Sequence, residues 1–148
     1  MLWNYSKYLE LDKFIIMREF KLFDAFDALD NAFSFLVEEW GFALIKEENL
    51  NYMALFRYRK DKLTILVAYE YMYNMFDFEF IMDEQCFEYI KDEQRQLIFS
   101  FFKDREPDIE WKLFQPDDFQ YKESLMRNVE YLKKYKDDVL KMAEYGTI

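Results

Sequence analysis

The sequence YMALFRYRKDKLTILVAYEYMYNMFDFEFIM, residues 52–82, decides the fold of this chain. It contains three runs rich in aromatic and β-branched residues, separated by the short breaks Lys60-Asp61 and Tyr73-Asn74. Residues of these types favour strands, and breaks of this length favour hairpins. In the last run, MFDFEFIM, apolar residues alternate with acidic ones, which predicts one buried face and one outer face. The stretch is therefore predicted to form three strands of an antiparallel meander.

Centring each hairpin on its break predicts which side chains face each other. The first hairpin then places Phe56 opposite Ile65, and the second places Val67 opposite Phe80. Both pairings put the same side chains on a single inner face. A slip of one residue in either hairpin would expose that face, so the agreement supports the assignment of the faces.

The rest of the chain predicts a first strand at residues 41–47 and helices around the sheet. Apolar residues recur at helical spacing, and Gly or Pro stands near the helix ends. The predicted helices span residues 20–39, 92–103 and 117–143. The chain is therefore predicted to be one α+β domain, residues 1–148, with two layers. A four-stranded antiparallel meander sheet carries three helices on one face, in the order α-β-β-β-β-α-α.

Composition narrows the classes of function. The chain has 148 residues, a net charge of −10 at pH 7, two Gly and no His. Scarce Gly argues against phosphate-binding loops and dinucleotide sites. The absence of His removes Ser-His-Asp and Cys-His dyads and the usual zinc sites. We therefore predict no cofactor, no metal and no catalytic residues.

The negative charge disfavours binding to nucleic acid or to an anionic membrane and favours a basic protein partner. Cys86 is the one cysteine, so no internal disulfide can form, and a reducing compartment is indicated. The first residues lack the pattern of a signal peptide. The longest stretch without a charged residue, 49–56, is far too short to span a membrane. A cytoplasmic protein is predicted.

The outer face of the predicted sheet carries the first candidate binding site. Glu70, Asp77 and Glu79 gather at one end, with Glu70 directly opposite Asp77. Like charges facing each other across two strands cost up to about 1 kcal/mol, which suggests that something positive lies there. Basic residues of the N-terminal segment, or solvation alone, would also account for the arrangement.

An apolar waist adjoins these carboxylates on the outer face. Its members are Leu55, Leu66 and Ile81, with Met53 and Ala68 beside them. Exposed branched residues on a flat sheet invite association. Three explanations stay open: residues 1–18 cover the waist, a second copy of the chain covers it in a homodimer, or a partner does.

The segment 104–118 is the second candidate, because it is strongly acidic and contains both prolines. Its predicted partner-binding residues are Asp104, Glu106, Asp108 and Glu110. If the apolar waist proves to be covered, this acidic loop is the only candidate that remains.

Three segments of the chain resemble a known group of proteins. They are FSFLVEEWGF (33–42), YEYMYNMFDFEF (69–80) and YLKKYKDDVL (131–140). Their pattern and order resemble small acidic bacterial α+β proteins, some of which are similar to immunity proteins of polymorphic toxin systems. The resemblance spans roughly residues 19–146. It implies a non-enzymatic protein that binds and blocks a toxin, often a nuclease, through an acidic surface, with no catalytic residues to transfer.

Two classes of function stay open. Binding to a protein requires only a shaped and charged surface, which the acidic residues supply. The alternative is a small cytoplasmic enzyme or small-ligand-binding protein that uses carboxylates and Tyr, and it requires a pocket that a sequence cannot reveal.

Overall fold

The computed structural model describes residues 25–71, 75–82, 95–108 and 121–146. The helices are α1 (Ala25–Phe33), α2 (Phe35–Glu38), α3 (Ile98–Arg105), α4 (Tyr121–Lys134) and α5 (Lys136–Tyr145). The strands are β1 (Ala43–Asn49), β2 (Met53–Lys60), β3 (Leu63–Glu70), β4 (Met75–Met82) and β5 (Arg95–Leu97). The predicted α+β class and the order of the elements are confirmed.

Each strand pairs antiparallel with the next one along the chain, so the sheet has the order β1-β2-β3-β4-β5. The short strand β5 is an addition to the predicted meander, because residues 92–103 were predicted to be helical. In β5, Arg95 pairs with Ile81 before the chain turns into α3 at Ile98. The three residues of β5 supply backbone hydrogen-bond partners to Glu79, Phe80 and Ile81, on the edge of β4 that does not pair with β3.

The predicted hairpin registers are wrong by two residues, whereas the predicted faces are correct. Asp61 and Lys62 form the turn between β2 and β3, and Asp61 has a φ of 51°. Short hairpin turns require positive φ, which Asp tolerates better than most residues. Phe56 therefore pairs with Val67. Moving a turn by one residue shifts every partner by two, so each side chain keeps its face.

The second hairpin differs from its prediction in the same way. Val67 pairs with Phe78, where the prediction placed Phe80, and Glu70 pairs with Met75 at the end of the hairpin. Phe78 and Phe80 are both buried, as predicted. The aromatic inner face is thus retained despite the shift in register.

The helices α1 and α2 pack on the inner face. The ring of Phe33 meets the ring of Phe78 edge-on at 5.1 Å, and Phe26 packs against Phe56 with the ring centres 4.9 Å apart. The predicted helix 20–39 is interrupted at Ser34, and its first five residues lie outside the described ranges.

Gly41 turns the chain from α2 into β1. Its φ of 78° lies in the left-handed region that favours glycine, which agrees with its predicted role as a terminator. Lys60 of β2 donates a hydrogen bond from Nζ to the carbonyl of Trp40 at 2.6 Å. This bond fixes the helix end against the sheet.

The helices α3, α4 and α5 complete the inner layer. Phe101 of α3 packs edge-on against Phe80 at 5.0 Å. The predicted helix 117–143 is divided at Tyr135 into α4 and α5, and residues 117–120 lie outside the described ranges. The end of α5 is capped by Gly146 in the left-handed conformation, as its position after the helix predicts.

Truncating Phe78 to Ala is expected to lower the free energy of unfolding by about 3–5 kcal/mol, because it opens a cavity between the sheet and α1. The neighbouring substitution Asp77→Ala, on the outer face, is expected to cost less than about 1 kcal/mol. Urea unfolding monitored by circular dichroism measures both. Equal losses for the two variants would contradict the assignment of the faces.

Candidate functional site

The apolar waist on the outer face is buried within the single chain. Leu55, Leu66, Ala68 and Ile81 form a second hydrophobic cluster, against which Met53 packs. No member of the cluster has more than 8% of its surface exposed, and Ile81 is completely buried. The waist is therefore a structural feature of the chain itself. Neither a second copy nor a partner is required to account for it.

The three carboxylates of the outer face differ in their surroundings. The predicted direct opposition of Glu70 and Asp77 is wrong, because the shifted register places Asp77 opposite Ala68 and Glu70 opposite Met75. Glu70 and Asp77 are therefore diagonal neighbours, and the cost of like charges directly opposite each other does not apply to them. Both residues are half-buried.

Glu79 is buried, with 8% of its surface exposed. Its cross-strand neighbours are Leu66 on β3 and Leu97 on β5. Arg57 lies on the other side of Leu66 in the same row, and its Nε and Nη1 atoms are buried. Glu79 therefore belongs to the covered part of the outer face and presents little carboxylate surface to another molecule.

A part-buried hydrogen bond lies in the neighbouring row of the same face. Arg59 donates a hydrogen bond from Nη1 to the hydroxyl oxygen of Thr64 at 3.1 Å, and Thr64 is completely buried. A hydrogen-bonded hydroxyl avoids most of the cost of burial. Arg57 and Arg59, on the same face, thus contribute to internal packing.

The acidic residues in the last turn of α3 and directly after it form the acidic helix end, which consists of Asp104, Glu106 and Asp108. Asp104 and Asp108 are exposed. Glu106 is half-buried, and its Oε1 accepts a hydrogen bond from Nζ of Lys134 at 2.9 Å. The fourth predicted residue of this segment, Glu110, lies outside the described ranges.

Contacts with α4 and α5 hold the acidic helix end in place. The guanidinium of Arg105 lies over the ring of Phe101, 3.6 Å from its centre, and its Nε donates to Oδ2 of Asp138 at 2.9 Å. Lys134 pairs with Glu106 at the end of α4. Arg105 and Lys134 therefore both form ion pairs within the chain. Asp104 and Asp108 flank this anchored segment with their charges directed to solvent.

The hydrogen bond donated by Lys134 is the largest cause that lowers the pKa of Glu106, and a hydrogen bond from Tyr135 adds to it. Burial is the main cause that raises the pKa of Tyr135, and its bond to Glu106 contributes as well. Glu106 is thus ionised at neutral pH and committed to contacts within the chain. The sequence pattern did not distinguish it from Asp104 and Asp108.

A further group of charged residues surrounds Tyr58 on β2. Burial raises the pKa of the Tyr58 hydroxyl, and the negative charges of Asp30 and Glu47 raise it further. The phenol therefore stays protonated at neutral pH and is a hydrogen-bond donor, not a base. No sequence pattern indicates this group, because its three members come from α1, β1 and β2.

Within the ranges that the structure describes, no group of three or more Cys, Asp or Glu side chains is arranged to hold a metal ion. Cys86 lies outside these ranges. No helix in the described part of the chain combines the length and apolar character needed to cross a membrane.

Comparisons with protein-family models, with curated proteins and with solved structures find no match to this chain. The resemblance to immunity proteins therefore stays a prediction.

Glu79→Lys is expected to lower the free energy of unfolding by about 1–3 kcal/mol, because it disrupts the contacts of a buried charged group and places an ammonium there. The matched reversal Asp77→Lys, two residues away on the same face but half-buried, is expected to cost less. Chemical denaturation of the two variants tests the difference. If Glu79→Lys is as stable as the parent, the outer face is more open than the structure indicates.

Glu106→Gln is expected to reduce stability at neutral pH and to have little effect in acid. A carboxyl whose pKa is lowered by folding stabilises the folded state above its unfolded pKa, and this contribution is lost as the pH falls through the folded pKa. Urea unfolding across a pH series measures the difference between parent and variant. Asp104→Asn, an exposed control in the same segment, is expected to show no such pH-dependent difference.

Proposed function

We propose that this chain is a non-enzymatic protein of the immunity type, which binds a basic protein partner such as a toxin through an acidic surface. The proposal is supported by the net charge of −10 and by the position of the exposed acidic residues. It places the contact at the acidic helix end, because the apolar waist and Glu79 are buried.

The exposure of Asp104 and Asp108 on an anchored segment is the observation that supports the proposal most directly. Both are exposed, and the segment between them is anchored by Arg105 and Glu106. Anchored carboxylates lose little conformational entropy on binding, since the backbone that carries them is already ordered. The positive charges of Arg105 and Lys134 are paired with Asp138 and Glu106.

The charge of the chain mainly affects the rate and the selectivity of association. Long-range attraction between an acidic protein and a basic partner accelerates encounter, and salt screens it. Short-range apolar contacts then determine how slowly the complex dissociates. Glu70 and Asp77 are half-buried and contribute to the overall negative field.

The double reversal Asp104→Lys/Asp108→Lys is expected to slow association with a basic partner by about tenfold, because it inverts the charge at the contact. Glu130→Lys/Glu144→Lys is the matched control, since it makes the same change in net charge at exposed positions on α4 and α5. The partner to use is the product of the gene adjacent to this one. Association rates with the three proteins are measured at low and at moderate salt.

A second measurement tests the immunity role itself. Co-expression of the parent chain is expected to restore growth of cells that express the adjacent gene product, and the Asp104/Asp108 reversal is expected to restore it less well. Failure of the parent to bind that product or to restore growth would contradict the immunity role. Equal loss of binding in the two reversed variants would show that net charge, and not this surface, is recognised.

A further inference from the structure

The strand β1 forms an exposed edge of the sheet. Among the described residues it pairs with β2 alone. Every residue of β1 is exposed except Glu48, which is half-buried. By contrast, β3 is buried along nearly its whole length. An edge strand presents a row of backbone N–H and C=O groups that can pair with a further strand.

Large apolar side chains are concentrated along this edge. We call them the β1 edge patch: Val37, Leu44, Ile45, Leu50 and Tyr52, each between 36% and 53% exposed. Val37 lies on α2, which contacts β1, and Leu50 and Tyr52 lie in the turn that follows the strand. In the described part of the chain, the other exposed large apolar residues are Met126 and Tyr145, on α4 and α5. Clustering of this kind on a surface is typical of a protein contact.

A β-bulge interrupts the pairing of β1 at Ile45. Leu44 pairs with Tyr58 and Lys46 with Arg57, which leaves Ile45 as the additional residue between them. Bulges at sheet edges commonly re-aim a side chain, and many edges use them with charged residues to prevent pairing. Here the bulged residue is apolar and 40% exposed. The edge therefore combines a bulge and the charges of Lys46, Glu47 and Glu48, which hinder pairing, with apolar residues that an incoming strand would cover.

The charges beside the patch determine which occupant fits. Lys46 is already paired with Glu48 along the strand, at 3.2 Å. Glu47 is exposed on the helix side of β1, and Glu38 and Glu39 are exposed at the end of α2. These carboxylates favour Lys or Arg on an incoming strand. A second copy of this chain, with its net charge of −10, would be repelled at the same edge.

We propose that an extended segment of a basic protein partner pairs with the outer edge of β1 and adds a strand to the sheet. Backbone hydrogen bonds to β1 supply affinity, and apolar side chains of that segment pack on Ile45. Its basic side chains lie beside Glu47. The inference rests on the proposed function for the basic nature of the partner, and it names a binding mode and a surface separate from the acidic helix end.

The test uses synthetic peptides as probes and isotope-labelled protein. The first peptide alternates Lys and Val, the second alternates Glu and Val, and the third is the Lys-Val peptide N-methylated at every backbone amide. The third peptide keeps the charge and side chains of the first but cannot donate backbone hydrogen bonds. The backbone amide chemical shifts of the protein report where each peptide binds and how tightly.

The Lys-Val peptide is expected to shift the amide signals of β1, and both the Glu-Val and the N-methylated peptides are expected to bind at least about tenfold more weakly. Ile45→Asp is expected to reduce the affinity for the Lys-Val peptide by a similar factor. Met126→Asp, at a site with 47% exposure on α4, makes the same chemical change and is expected to bind like the parent. Circular dichroism confirms that both variants are folded.

Three outcomes would overturn the inference. Equal affinity for the N-methylated peptide would show charge attraction without strand pairing, and shifts confined to the acidic helix end would place the contact elsewhere. Dimerisation of the protein in the ultracentrifuge, abolished by Ile45→Asp, would assign the edge to a second copy. None of these outcomes affects capture of the adjacent gene product through Asp104 and Asp108, so the two proposals can fail separately.

Discussion

The residues of β3 from Leu63 to Tyr69 are all buried, because the strand has neighbours on both edges and packed side chains on both faces. Its inner-face residues join the aromatic cluster under the helices, whereas Leu66 and Ala68 join the cluster on the outer face. A strand in this position tolerates neither a polar face nor a slip of one residue. The sheet, the helices that cover it and the two hydrophobic clusters are all arranged around this strand.

Edge-on aromatic contacts connect the sheet to the helix layer. Phe33 meets Phe78 and Phe101 meets Phe80, so two adjacent side chains of β4 fix the positions of α1 and α3. Because such contacts are directional as well as apolar, they orient the helices in addition to attracting them. The position of α3 in turn sets the position of the acidic residues at its end.

Many of the basic side chains in the described part of the chain serve internal contacts. Arg105 and Lys134 pair with carboxylates, Arg59 and Lys60 bond to internal oxygens, and Lys133 lies over the ring of Phe35. Internal pairing leaves the surplus of negative charge to dominate the surface. The two ends of the sheet also differ, since β4 is paired with β5 while β1 keeps an exposed edge with apolar side chains. The negative charge and the exposed edge are the two observations behind the proposal that a basic, extended segment binds here.

The sequence by itself determined the fold class, the order of the elements and the face on which each side chain of the meander lies. These features follow from local alternation, helical spacing and the composition of the breaks, which a single sequence displays directly. The sequence did not determine the register. In the first hairpin the turn lies one residue later than its break predicts, with Asp61 in the left-handed conformation, and this shift moves every partner by two. The sequence also did not predict the division of the terminal helix at Tyr135 or the short strand β5, since both depend on packing and pairing with neighbouring elements.

Only part of the candidate site could be predicted from the sequence. The sequence identified the acidic residues, but it could not separate the exposed Asp104 from the paired Glu106 or the buried Glu79. The exposure and the ion pairing of these residues depend on Lys134, on Asp138 and on the burial of the outer face, and the residues that pair lie far apart in the chain. Burial and ion pairing at such distances are properties of the packed structure, because only the tertiary fold determines which side chains reach one another and which remain in water.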